Sequence, residues 1–153
     1  MSISIKDIDG LKGLVTNEWS AWSDQLEITQ DMINTFADVT HDHQWIHVDI
    51  EKANAGPFGG PIAHGFLTLS LVSYFATQGG PEIDGLLGGL NYGGDRLRFL
   101  NPVPVGAKVH AKMRILDVTE KASGILMKRE ISVHVVDDEK PAVVFESLVL
   151  LLG

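Results

Sequence analysis

The sequence predicts an α+β domain in which one buried helix packs on an antiparallel sheet. Three observations carry this. Residues 29 to 40 have helical periodicity, whereas the second half holds four long segments with strand character. Between them, HGFLTLSLVSYFATQ (64 to 78) is apolar nearly all round, the mark of a helix buried on every face. The four strand segments are joined by short connections, so they pair antiparallel.

Residues 1 to 25 have mixed character, include Trp19 and Trp22, and are expected to form an arm over a single domain spanning 26 to 153. From Thr29 to Thr40, Ile33, Phe36, Ala37 and Thr40 form an i, i+3, i+4, i+7 stripe. Thr29 suits the N-cap, and Asp31 suits the positive end of the helix. HDHQWIH (41 to 47) follows at the helix exit or in the next loop. NAGPFGGPIA (54 to 63) is a loop rich in glycine and proline. Gly79-Gly80-Pro81 ends the apolar helix.

Residues 86 to 100 form the first long strand, with bulges expected around Gly88, Gly89, Gly93 and Gly94. In 108 to 117, Val109, Ala111, Met113 and Ile115 alternate with Lys108, His110, Lys112 and Arg114, the period of a half-buried strand. Residues 125 to 136 and 142 to 152 are the remaining strands. Asn101 to Pro104 and Val118 to Gly124 are expected as turns.

The chain has 153 residues, 44% hydrophobic and 21% charged, a globular composition of one-domain size. A net charge of −8 without a dense Lys/Arg cluster argues against nucleic acid and against an anionic membrane as partner. The absence of cysteine excludes disulfides, thiolate nucleophiles and Cys-ligated zinc. No secretory pattern opens the chain, and its most apolar stretches fall short of the roughly 20 residues a spanning helix needs. A soluble, cytoplasmic protein is the expectation.

Four of the six histidines, His41, His43, His47 and His64, lie between 41 and 64, with Asp42 and Asp49 among them. Three readings compete. On an extended segment His41 and His43 share a face and can hold an ion, but no zinc signature such as HExxH accompanies them. Alternatively, the histidines are partly exposed residues with local hydrogen bonds only. In the third reading Asp42 and His47 form an acid/base pair around one water, shielded by Trp45 and Ile46 packing inward.

The segment FADVTHDHQWIHVDIEKA followed by GPFGGPIAHGFLTLSLVSYF resembles the hydratase motif of the MaoC-like dehydratases, the R-specific enoyl-CoA hydratases. With NYGGDRLRF and PVPVG, it is similar to their NodN-like branch over about residues 26 to 150. The resemblance implies a hot-dog fold, a long central helix wrapped by an antiparallel sheet, and a homodimer with active sites near the subunit interface. It puts the catalytic aspartate on Asp42, the catalytic histidine on His47 and the oxyanion-hole amide on Gly65. Ser73 falls on a supporting serine that hydrogen-bonds Asp42, and Asp49 on a structural aspartate. His64 helps shape the hole. Gln44 and Trp45 stand where the family usually has Asn and Pro, and Trp45 counts as substrate-binding.

The implied activity is hydration of a 2-enoyl-CoA to a (3R)-3-hydroxyacyl-CoA, or the reverse, in fatty acid metabolism. The thioester carrier is CoA or an acyl carrier protein. Neither a cofactor nor a metal is expected. Arg96 and Arg98 alternate onto one strand face, where they can meet CoA phosphates. A non-catalytic acyl-thioester binder and a thioesterase on the same fold are the alternatives.

Overall fold

A computed structural model describes residues 2–153. Four long strands build most of the molecule. β4 (Gly88–Phe99), β5 (Lys108–Lys121), β6 (Gly124–Val135) and β7 (Val143–Leu152) join short β2 (Leu26–Glu27) in an antiparallel sheet of order β2-β5-β6-β7-β4. β1 (Ile3–Ser4) pairs parallel with β3 (Ile83–Asp84) in a separate two-stranded ribbon. The curled antiparallel sheet with a helix against its inner face is the hot-dog arrangement within the α+β class.

The alternation read in the second half is realised. Val109 and Ala111 of β5, Ile131 and Val133 of β6 and Val143 of β7 line the main core. β4 shifts register between Asn91 and Gly93 and again between Asp95 and Arg98, within the glycine-rich stretch expected to bulge. One expected turn is corrected. Residues 118 to 121 continue β5, with Val118 buried in a second core cluster, and the turn is confined to Ala122 and Ser123. Glu120 and Lys121 pair with Ile125 and Gly124, so ladder pairing overrides their polar character.

The helices are α1 (Ile8–Lys12), α2 (Gln30–Thr40), α3 (Trp45–Val48), α4 (Ile50–Asn54), α5 (Gly65–Ser70) and α6 (Val72–Phe75). Thr29 caps α2 by accepting from the Met32 amide, and Ile33 and Ala37 are its buried positions. The central helix is shorter than its apolar run predicts: it covers 65–75 and loosens at Leu71, where ψ is −13. The Ser70 hydroxyl donates to the Phe66 carbonyl at 2.6 Å, a back-bond that bends helices. Nor is the helix buried all round. Leu67, Thr68, Val72 and Phe75 face the core, while Phe66 is 64% and Tyr74 43% exposed. Periodicity could not reveal this, because the outward positions are as apolar as the inward ones.

Residues 2–25 lie against the far end of the sheet. Leu11 is fully buried with Ile5, Met127 and Leu151, and the amides of Thr16, Ser20 and Ser23 donate to carbonyls of β5. No helix among the described residues is long and apolar enough to cross a membrane.

Candidate active site

The site is built where α2 ends. His41 takes the left-handed conformation (φ 60) that closes the helix, turning the chain so that Asp42 points inward. The Gln44 amide donates to the Asp42 carboxylate at 3.3 Å, a local turn that sets this side chain before α3 begins. HDHQWIH is therefore half loop and half helix, since Trp45–Val48 make one turn. Gln30 of α2 holds that turn by donating its amide to the His47 carbonyl at 2.9 Å.

The loop after α4 returns to meet α3. The Ile62 amide donates to the Ile46 carbonyl at 3.0 Å, and Ile62 bridges Pro104. The Ile62 carbonyl lies 2.7 Å from His47 Nδ1. A carbonyl only accepts, so Nδ1 carries the proton and Nε2 keeps its lone pair. His64 is oriented in the mirrored sense: its Nε2 donates to the Asp42 backbone carbonyl at 2.9 Å. The two rings stack with centroids 3.8 Å apart and planes 24° apart. His47 and His64 are both buried. Burial pushes the His47 pKa below its ordinary value. The neighbouring His64 adds to that, while the Ile62 carbonyl and Asp42 pull the other way.

Asp42, Gln44, His47 and Gly65 line one cavity of about 530 Å³, walled by Ile46, Phe58, Phe66 and Phe99. Gly65 is the first residue of α5, and its N–H has no partner among the described residues. A Cβ at this position would come within 2.9 Å of the Phe99 ring. Only glycine lets that wall close over the amide. The arrangement thus offers a carboxylate, a free imidazole nitrogen and a free amide donor to one enclosed volume.

The remaining site expectations fall differently. Trp45 packs on Gly56, with Lys52 over its ring at 4.8 Å, and does not line the cavity; Ile46 supplies the inward apolar wall. Within one chain Ser73 makes no bond to Asp42 and lines a second cavity further along the helix. Arg96 and Arg98 line neither cavity, and their simple alternation is interrupted by the bulge, with Arg96 at φ 50 and 3.4 Å from Glu146. Asp49 caps α4 by accepting from the Lys52 amide at 3.0 Å. His43 lies on the surface against Asp38 at 2.9 Å, apart from the group that gathers donor atoms. That group is Asp42, His47 and His64, with atoms within 4.8 Å of one another, a spacing an ion can bridge. Sequence reasoning missed Gln30, the Ile62 carbonyl and Phe99. No spacing rule marks them, because each reaches the site through tertiary contact.

A family model described as MaoC like domain matches residues 18–137. Nodulation protein N of Rhizobium meliloti is 44% identical over 144 residues, covering 92% of this chain and 86% of that protein. The 3-hydroxyacyl-thioester dehydratase Z of Mycobacterium tuberculosis is 45% identical over 128 residues, covering 83% and 84%. Among solved structures, the (R)-hydratase from A. caviae involved in PHA biosynthesis superposes with a TM-score of 0.72 at 24% identity, covering 88% of this chain and 95% of that one. On the family match and these two relatives, the chain belongs to the MaoC-like family of hydratases and dehydratases.

Proposed function

We propose that this chain adds water across a 2-enoyl thioester to give a (3R)-3-hydroxyacyl thioester, or removes it in the reverse direction. The observation that carries this is the convergence of the Asp42 carboxylate and the bare His47 Nε2 on a cavity that also exposes the Gly65 amide. In hydration, Asp42 and His47 hold one water. His47 Nε2 takes its proton as the hydroxyl oxygen bonds to Cβ. The C=C electrons move to the thioester oxygen, where the Gly65 N–H stabilises the developing enolate. The pair then returns a proton to Cα. Stacking on His64 and the bond to Ile62 hold the imidazole so that Nε2 faces the water.

The substrate is carried on CoA or an acyl carrier protein, and the reaction belongs to cytoplasmic fatty acid metabolism. A homodimer is part of the same reading. β4 is a sheet edge with Leu90 54% and Tyr92 55% exposed, and Leu87, just before it, 85% exposed, an apolar border that a second copy would cover. In that dimer Ser73, Trp45, Arg96 and Arg98 would act from around the site.

Purified protein with crotonyl-CoA is expected to consume the enoyl absorbance and yield the (3R) product by chiral chromatography. Asp42→Asn is expected to abolish turnover while the variant still melts cooperatively. Wild-type activity in Asp42→Asn would falsify the assignment. Dialysis against a chelator is expected to leave the rate unchanged; a loss restored by added zinc would instead assign an ion to Asp42, His47 and His64.

A further inference from the structure

The second cavity, about 820 Å³, lies between the same helix and the β4–β7 pair. Gly65, Leu69, Val72 and Ala76 fall at helical spacing, so one stripe leads from the Gly65 amide into this space. At a rise of 1.5 Å per residue, Ala76 lies roughly 16 Å beyond Gly65, the reach of a medium-length acyl chain.

Two polar groups wait there without partners. Arg129 of β6 lines this cavity and the adjoining one under the N-terminal segment. It makes no hydrogen bond or ion pair among the described residues, and its Nε is buried and unsatisfied. Ser147 of β7, only 5% exposed, stands directly opposite in the ladder, and its Oγ is also unsatisfied. Both lie on the inner face of the sheet, in step with Ile131 and Phe145. A guanidinium stays protonated, and leaving its buried Nε without an acceptor is costly. The chain is acidic overall, yet the neighbouring carboxylates in the ladder, Glu130 and Glu146, alternate to the outer face, Glu130 engaging Arg114 and Glu146 engaging Lys128 and Arg96. The cavity beside them leaves room for an anion to meet both groups.

Building on the hydratase reading, we propose that Arg129 and Ser147 bind a carboxylate at the far end of the acyl chain, so that the enzyme selects ω-carboxylated enoyl thioesters over plain alkyl ones. Arg129 offers two N–H groups to the carboxylate and Ser147 one hydroxyl, both lining the second cavity.

The test compares kcat/KM for trans-2-decenoyl-CoA and its ω-carboxylated counterpart. Wild type is expected to favour the carboxylated substrate about tenfold or more, the effect of one charge-assisted contact. In Arg129→Met the ratio falls to one or below. Ser147→Ala, a milder change that carries the test if Arg129→Met does not fold, lowers the ratio several-fold. Equal use of both substrates by wild type, or an unchanged ratio in the variants, overturns the proposal. So does a loss of oligomer mass in Arg129→Met with no change in ratio, which would make the guanidinium an interface ion. Crotonyl-CoA is too short to reach Arg129. Failure of wild type to hydrate it sinks the hydratase reading, whereas hydration without distal preference sinks this inference alone.

Discussion

Two histidine pairs in this molecule look alike and differ in one respect that decides what each can do. His47 and His64 stack at 3.8 Å beside the central helix. On the outer face of the sheet, His110 stacks on Trp22 at 3.9 Å and pairs across the ladder with His134. Each pair contains a ring whose Nδ1 donates to a backbone carbonyl, Ile62 for His47 and Asp138 for His134. Each contains a histidine whose pKa burial pushes down, His47 in one and His110 in the other. A lowered pKa therefore does not separate them. Access does. The Nε2 of His134 is occupied by the Ser132 hydroxyl at 2.8 Å, and the Trp22 ring lies edge-on to it. The Nε2 of His47 is free and faces a cavity that already holds a carboxylate. An imidazole becomes a base where a lone pair is left over, and becomes a strut where none is.

Perturbing the two pairs separately tests this contrast. The largest effect is expected from His47→Gln, whose amide can still donate to Ile62 but cannot accept a proton; kcat should fall by about 10² to 10⁴, the usual contribution of a general base. His134→Ala should leave kcat within error.

Next is the pH dependence. As the proposed base, His47 acts only when neutral, and burial pushes its pKa below the ordinary value of about 6.5, so the acid limb of kcat/KM should appear below that pH. The same depression makes the neutral form the one the fold favours. Its stabilisation is complete above the unfolded value and is lost as pH falls through the folded one. An acid limb above 6.5 would exclude His47 as the base.

Gly65→Ala comes third. The added methyl meets Phe99, and a displacement of the amide by about 1 Å would lower kcat/KM by up to roughly 10²-fold, measured with crotonyl-CoA.

The smallest effects belong to the outer pair and fall on stability. His134→Ala orphans the buried Ser132 hydroxyl and is expected to cost about 1–3 kcal/mol by denaturant melt. His110→Ala, which loses the stack on Trp22, should cost about 0.5–1.5 kcal/mol.

Local chemistry determined much of this protein before any coordinates. The period-two pattern from Lys108 onward, the Thr29 cap and the glycine bulges of β4 are choices a few neighbouring residues make for themselves. The fold class followed from them, and the density of His and Asp between 41 and 64 marked the candidate site. Three things came only from tertiary structure. Val118 extends β5 because β6 is there to pair with it. The central helix is one-sided because β7 and β5 cover one flank, while Phe66 and Tyr74 on the other stay exposed. The proton of His47 sits on Nδ1 because Ile62, fifteen residues on, supplies the carbonyl that accepts it. Sequence encodes preferences over a few residues. Which lone pair stays unpaired, and which face stays bare, depends on segments that meet only once the chain has folded.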